Sequence, residues 1–112
     1  MGIVCEKRGK KDLPRQKKTR EVLSLPHNTG FQPMDQKGEN LPIVLTVDEY
    51  EAVRLIDKEG FSQEECGRYM KISRATAQRI HSSARKKMAT ALVEGRPLRI
   101  EGGDYQISDA EE

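Results

Sequence analysis

A series of helix-start and helix-stop signals between residues 46 and 95 limits the folds open to this chain. Thr46-Val-Asp-Glu49 and Ser62-Gln-Glu-Glu65 are capping boxes, in which the first side chain accepts a hydrogen bond from the backbone three residues on and the glutamate reaches back. Ser73 is a third N-cap, and Gly60 and Gly95 suit the left-handed position that ends a helix. These signals predict three helices, the second of them ending at about residue 70.

Apolar residues repeat at helical spacing within these segments. In the first helix the apolar stripe is predicted to comprise Tyr50, Val53 and Ile56, with Ala52 and Leu55 beside it. In the second, the predicted buried side comprises Cys66, Tyr69 and Met70. In the third, the line consists of Ala77, Ile80, Ala84, Met88 and Ala91, on a helix of about 20 residues or roughly 30 Å. Gly67 costs about 1 kcal/mol inside a helix, which predicts a close backbone approach there.

The two ends of the chain lack helical periodicity. Residues 1–42 contain four prolines and few clustered aliphatic residues, which predicts a loosely structured basic arm and loop, with a short strand or anchor near Val22. After the helical segment 43–95, Leu98 and Ile100 alternate with polar residues, and Tyr105 and Ile107 do so again beyond a glycine turn. Residues 96–107 therefore predict a β-hairpin or strand, and 108–112 a disordered acidic tail.

Size and composition argue against an enzyme. A chain of 112 residues with five aromatic side chains predicts one domain with a small aliphatic core. No nucleophilic triad, phosphate loop or paired carboxylates are evident, and the two histidines and two cysteines lack the spacing of metal ligands. We therefore expect no catalytic residues, no metal and no cofactor. The absence of any apolar run of roughly 18–20 residues, together with the few cysteines, predicts a cytoplasmic protein that does not enter membranes.

The net charge of +2 conceals segregated blocks. Residues 1–20 hold eight bases and two acids, and residues 66–93 hold seven bases and no acid. Residues 48–65 hold seven acids and two bases, and the last twelve residues hold five acids. Such segregation favours a face that binds a polyanion, although an ordinary solvated surface is the alternative. The acidic first helix either keeps one surface soluble or contacts a basic partner such as RNA polymerase.

A short helix, a tight turn and a longer capped helix have the layout of a helix-turn-helix, whose last helix enters the DNA major groove. Arginine can pair with guanine, glutamine with adenine, and a methyl group can contact thymine. The predicted base-reading residues are Arg74, Ala75, Thr76, Gln78 and Arg79. The predicted phosphate contacts are Ser62, Ser73, Ser82, Ser83, Arg85 and Lys86. Arg15, Lys17, Lys18 and Arg20 form either a minor-groove arm or a solubilising tail.

Residues 62–88 resemble the helix-turn-helix of sigma-factor region four, including the mid-helix Gly67, the Ile72-Ser73-Arg74 turn and the Ala84-Arg85-Lys86-Lys87 end. Residues 44–57 and 91–103 extend the similarity to short prokaryotic proteins of unknown function that are thought to bind DNA through this fold. The resemblance covers roughly residues 13–107 and makes 1–12 an extension. It implies that residues 74–79 face the major groove. Ala75 and Thr76 depart from the charged residues common in region four, so promoter specificity does not transfer.

The predicted fold is mainly α: a three-helix, region-four-like helix-turn-helix domain with an extended N-terminal arm and a short C-terminal β-hairpin or strand. The predicted function is sequence-specific binding of double-stranded DNA as a transcriptional regulator, with residues 74–94 in the major groove. Two alternatives remain open at this point: an adaptor that docks on RNA polymerase without reading bases, and a binder of structured RNA. A homodimer formed through strand edges in 98–107 is a further hypothesis.

Overall fold

The computed structural model describes residues 19–35 and 41–107. Within these residues the fold is mainly α, with three helices and five short strands. In chain order the elements are β1 Arg20–Val22, β2 Gly30–Phe31, β3 Ile43–Leu45, α1 Val47–Val53, α2 Gln63–Met70, α3 Arg74–Glu94, β4 Leu98–Ile100 and β5 Tyr105–Ile107. One π-helical turn, Arg54–Lys58, continues α1. The predicted extension 1–12, the arm residues Arg15, Lys17 and Lys18, and the tail 108–112 lie outside the described residues.

The capping signals mark the helix starts, as predicted. The Thr46 side chain accepts from the Glu49 N–H, and the Glu49 carboxylate accepts from the Thr46 N–H at 2.9 Å. Ser62 and Glu65 make the same reciprocal pair at the start of α2. Ser73 caps α3, which runs for 21 residues to Gly95 in the left-handed conformation. Local side-chain chemistry therefore sets these boundaries.

The apolar core lies between the three helices and strand β1. Val22, Ala52, Cys66 and Ala77 are fully buried there. A smaller cluster of Leu45, Ala84 and Ile100 joins the middle of α3 to the strands. The core therefore takes residues from both ends of the described chain.

A close backbone approach at Gly67 is confirmed. A Cβ atom at this position would lie 2.9 Å from the Ile72 carbonyl oxygen and 3.3 Å from the Ser73 backbone. The Ile72 N–H donates to the Gly67 carbonyl at 2.9 Å, which closes the turn between α2 and α3. Glycine thus allows α2 to contact the backbone that leads into α3.

The strand pairing corrects the hairpin prediction. β4 and β5 exist, as alternation in residues 98–107 predicted, but they do not pair with each other. β4 lies between β2 and β3, antiparallel to the first and parallel to the second, and β5 pairs with β1 in parallel. Gly102 and Gly103 have positive φ angles and carry the chain from one sheet to the other. Both edges of β4 are already paired within the chain, whereas β5 pairs on one side only.

The basic N-terminal segment is partly built into the fold. The described part of residues 1–42 was predicted to be loose except for a short strand or anchor, and the strand is present as β1. Val22 at its end is fully buried. The predicted loop at 26–42 also contains β2, which pairs with β4.

Three predicted burial patterns need correction. In the first helix the fully buried apolar residues are Ala52 and Leu55, whereas the predicted stripe residues are half-buried. Tyr69 and Met88 are more exposed than predicted. The acidic residues of α1 are not a solubilising surface, since Asp48, Glu49 and Glu51 are all buried. Ion pairs and hydrogen bonds explain how a small core tolerates Glu49 and Glu51, whereas Asp48 lies 3.9 Å from the Arg20 guanidinium.

Candidate nucleic-acid interface

The N-terminal turns of α3 present the predicted base-reading residues to solvent. Arg74, Ala75, Gln78 and Arg79 are exposed, and Thr76 is half-buried. The structure thus brings all five together at one helix end.

Thr76 is held in place by the helix cap. The Ser73 hydroxyl accepts from the Thr76 N–H and donates to its side-chain oxygen, both at 3.0 Å. The Arg79 guanidinium also donates to the Thr76 oxygen at 3.3 Å. Ser73 and Thr76 therefore position this turn, which leaves their hydroxyls less available to a ligand than the sequence suggested.

A single exposed face runs along α3 from this end. Ala75, Arg79, Ser82 and Lys86 follow one another at intervals of four, three and four residues, so they share the side opposite the buried line. We call these four residues, with Arg74, Gln78 and Arg85 on one flank, the outer face of α3. All seven are exposed. The outer face carries four cationic side chains and no acidic one.

Three of these cations have no acidic partner in the part of the chain that the structure describes. Among the described residues, none forms an ion pair with Arg74, Arg79 or Lys86. Arg85 lies 3.6 Å from the Asp57 carboxylate, yet its side chain remains 67% exposed. The outer face therefore offers positive charge that residues 19–35 and 41–107 leave largely without an acidic partner.

One flank of α3 is occupied by the start of α1. The Glu49 carboxylate accepts from the Ser83 hydroxyl at 2.6 Å and from the Lys87 ammonium at 2.8 Å. Burial alone would raise the pKa of Glu49, but hydrogen bonds from Lys87, Ser83 and the Thr46 backbone together outweigh it and lower that pKa. Ser83, predicted as a phosphate contact, is exposed but donates its hydroxyl to Glu49.

The opposite flank is joined to the π-helical turn. His81 Nε2 lies 2.8 Å from the Asp57 carboxylate, and His81 is buried. The same carboxylate contacts Arg85. This histidine is therefore packed against an acidic partner.

The other predicted contacts fall away from the outer face. Ser62 caps α2 and is exposed. Arg20 lies in β1, where its guanidinium contacts Asp104 at 3.1 Å and Asp48 at 3.9 Å. These contacts hold Arg20 in the fold, separate from any arm formed by the residues before it.

Sequence reasoning missed the acids that organise α3. Glu49 was identified only as part of a capping box, and Asp57 was counted only as one charge in an acidic block. Their partners lie 34 and 38 residues away for Glu49 and 24 residues away for Asp57. No local pattern reports such a pairing. The one signal in the sequence was that the acidic block, residues 48–65, is followed directly by residues 66–93, which hold bases and no acid.

The described residues contain one cysteine, Cys66, and no cluster of metal ligands. No group of three or more His, Cys, Asp or Glu side chains there could hold a metal ion. Cys66 is fully buried, and burial raises the pKa of its thiol to about 11, with the Glu51 carboxylate adding to the effect. It behaves as the small buried residue that was predicted. The described helices include none with the length and apolarity to cross a bilayer.

Comparison with known proteins finds close relatives among bacterial proteins named UPF0251. The relative from Desulfitobacterium hafniense is 49% identical over 98 residues, which cover 87% of this chain and 78% of that protein. The one from Thermoanaerobacter pseudethanolicus is 48% identical over 101 residues, covering 89% and 86%. The one from Caldanaerobacter subterraneus is 49% identical over 96 residues, covering 85% and 81%. No solved structure matches the chain significantly.

A family model described as "Protein of unknown function DUF134" matches residues 9–108. This match includes every described element and begins a few residues before the resemblance noted from the sequence. The outer face of α3 and the buried acids beside it thus lie within the matched region. The chain therefore belongs to the DUF134 family, together with the UPF0251 proteins.

Proposed function

We propose that this chain binds double-stranded DNA in a sequence-specific manner and regulates transcription. In this proposal α2 and α3 form a helix-turn-helix of the region-four type, and the N-terminal turns of α3 enter the major groove. An α-helix with its side chains is about 10–12 Å across, and the major groove is about 12 Å wide. The dimensions are therefore compatible.

The outer face of α3 carries the proposal. Its cations are unpaired or mostly exposed, whereas the nearby acids Glu49 and Asp57 are directed to the flanks of the same helix. Such an arrangement attracts the phosphate backbone, and repulsion by those acids is reduced because Glu49 is paired with Lys87 and Asp57 with Arg85. The charge segregation in the sequence thus corresponds to a separation in space.

The proposed roles follow from side-chain chemistry. Arg74, Gln78 and Arg79 would contact base edges, and Ala75 would contact a thymine methyl. Ser82, Arg85 and Lys86, further along α3, would contact phosphates and fix the helix in register. Ser83 is not assigned to DNA, because its hydroxyl donates to Glu49. Ser62 would contact a phosphate from the start of α2.

The test begins with selection of bound sites from a random double-stranded DNA pool, followed by affinity measurements on the enriched sequence. Gln78→Ala and Arg79→Ala are each expected to weaken binding by about 1–3 kcal/mol and to relax the preference at one base pair. Lys86→Ala is expected to weaken binding to all sequences and to lower the salt slope by about one unit. Lys58→Ala is the control, since Lys58 is an exposed cation that already has an acidic partner, Glu59, at 3.9 Å.

The outcomes separate the proposal from its alternatives. An adaptor that docks on RNA polymerase predicts no enriched motif and no effect of Arg79→Ala on DNA. A binder of structured RNA predicts tighter binding to an RNA hairpin than to any duplex DNA at the same salt concentration. Either result would contradict sequence-specific DNA binding.

A further inference from the structure

An apolar groove lies beside the C-terminal half of α3. It has a volume of about 490 Å³ and lies between β2 with the residues after it and the last turns of the helix. Phe31, Met88, Leu92 and Leu98 line it, together with small residues of the helix. This groove is at the opposite end of α3 from the proposed base-reading residues.

Three large apolar side chains of the lining are exposed to solvent. Leu92 is 84% exposed, Phe31 59% and Met88 37%. For side chains of roughly 150–250 Å² these fractions correspond to on the order of 300 Å² of apolar surface, about the size of the largest apolar patch on a typical monomer, a patch that is often functional. Arg96, the charged residue of the lining, already pairs with Glu94 at 3.2 Å and donates to the Leu41 carbonyl. Few charges would have to be desolvated to cover the groove.

We propose that a second copy of the same chain covers this groove, so that the two α3 helices pack antiparallel about a two-fold axis near residue 90. Met88 of one copy then faces Leu92 of the other, and Ala89 lets the helices approach to the usual 8–10 Å. A stable interface needs roughly 800 Å² per partner, with an apolar centre and a polar rim. The groove supplies the centre, and the neighbouring turns of α3 and the residues after β2 supply the rim.

The geometry of α3 favours a second copy over an unrelated partner. Residue 77, in the proposed recognition turns, lies 13 positions before the proposed axis, or about 20 Å at 1.5 Å per residue. Two copies crossing at the usual helix angles would place their recognition turns roughly 35–40 Å apart. Successive major grooves on one side of DNA are about 34–36 Å apart.

The apolar groove and the outer face lie on sides of α3 that allow a dimer and a DNA contact at the same time. Leu92 lies about 100° around the helix from the line of Ala75, Arg79, Ser82 and Lys86, on the same side as the flanking residues Arg74 and Arg85. A partner helix seated in the groove therefore leaves that four-residue line of both copies on the same side of the dimer. The dimer itself does not depend on DNA, whereas the half-site spacing of one helical turn rests on the proposed function.

Sedimentation equilibrium of the full chain without DNA tests the dimer. We expect the mass of two chains for the wild type and at least a tenfold weaker association for Leu92→Asp. Val93→Asp is the matched control, because Val93 is 81% exposed on the same helix but does not line the groove. It should associate like the wild type. Both positions are so exposed that neither substitution should prevent folding.

Two results would overturn the proposal. A wild-type chain that stays monomeric at high micromolar concentration would mean that another segment or a different protein covers the groove. Equal association of both aspartate variants would place any interface elsewhere. Because no DNA is present, either failure leaves the site-selection result of the proposed function untouched.

Two single-cysteine variants provide an independent check of which residues of the two α3 helices face each other. In a chain with Cys5→Ser and Cys66→Ala, we expect Ala89→Cys to form an intermolecular disulfide under mild oxidation. Ser82→Cys, two turns closer to the recognition end and also exposed, should remain a monomer on a non-reducing gel. Crosslinking of Ser82→Cys in preference to Ala89→Cys would contradict an axis near residue 90.

Discussion

Lys71 has an uncommon backbone conformation for a residue with a side chain. It ends α2 with φ 61° and ψ 46°, and among the described residues it alone has a positive φ without being glycine. The left-handed conformation costs an L-residue roughly 1–2 kcal/mol. Its ammonium lies 3.6 Å from the Glu21 carboxylate, but this pair is exposed on the lysine side and contributes little. The turn before the proposed recognition helix is therefore strained.

Replacing Lys71 by glycine should relieve that strain. We expect Lys71→Gly to raise the free energy of unfolding by about 0.5–1 kcal/mol, since glycine adopts this conformation freely but loses more entropy on folding. Urea unfolding at neutral pH measures the change. Lys71→Ala also loses the Glu21 pair but keeps the strain, so it should not be stabilised. Equal stabilisation of both variants would show that the lysine side chain, and not the backbone, is the cause.

Residues 67 and 71 show what a sequence reveals at this scale. Gly67 could be identified in advance, because glycine is unfavourable within a helix and needs a reason to be there. Lys71 could not, because a lysine gives no indication of a positive φ. The predicted outer-face residues are exposed because helical periodicity determines exposure, but the engagement of Ser83 depends on a partner 34 residues away.

At the level of elements, α1 acts as an acidic support for α3. Glu49 contacts Ser83 and Lys87 on one flank, and Asp57 contacts His81 and Arg85 on the other. The acidic and basic blocks of the sequence thus meet along one helix. These contacts orient the side chains next to the outer face without placing acid on it.

The Glu49 contacts predict a dependence of stability on pH. Because the pKa of Glu49 is lowered in the folded protein, its contribution is complete above the ordinary carboxyl value of about 4.3 and is lost as pH falls through the folded value. Glu49→Gln should lower the free energy of unfolding by about 1–3 kcal/mol at pH 7. That difference should shrink steadily below about pH 4.

Urea unfolding from pH 7 down to pH 3 provides the measurement. Glu64→Gln is the control, because Glu64 pairs with Arg68 on the exposed surface of α2 and should change stability by less than about 0.5 kcal/mol. A Glu49→Gln deficit that stays constant across this range would mean that packing of the side chain, and not its charge, stabilises the contact.

Elements differ in how far the sequence predicts them. Helix boundaries follow from groups within four residues of each other, such as Thr46 with Glu49, so local reading located them. The strands were also visible as short alternating runs, but pairing is decided by distant partners. β4 has no local reason to choose β2 and β3 over β5. A glycine turn between two strands favours a hairpin only when no other strand pairs with them.

At the scale of the whole molecule, the basic residues before β1 are a second candidate for DNA contact, in addition to α3. Residues 1–18 carry seven bases and two acids and lead directly into a strand anchored by Val22. Flexible basic segments attached to helical DNA-binding domains often follow the minor groove. If residues 1–18 act in this way, they extend the DNA contact beyond α3 without a change in the fold.

Replacing Arg15, Lys17 and Lys18 by glutamine should weaken DNA binding and flatten its dependence on salt. Each phosphate contact that is lost lowers the slope of log affinity against log salt by about one unit. Titrations at several salt concentrations give the slope. The control Lys58→Gln removes a cation from the π-helical turn and should leave the slope unchanged. Identical slopes for the triple variant and the wild type would assign residues 1–18 a solubilising role.

The parallel pairing of β1 with β5 has a consequence for synthesis of the chain on the ribosome. Arg20 is in register with Tyr105 and Val22 with Ile107, so each pair is separated by 85 residues. The three helices can form while translation continues, but Val22 cannot complete its strand pairing until residue 107 has left the exit tunnel. Until then a strand with its full set of backbone donors and acceptors stays unpaired, which is the state most prone to pairing with a neighbouring nascent chain. The last step of folding is therefore the pairing of β1 with β5, which takes place after the surface proposed to contact DNA has formed.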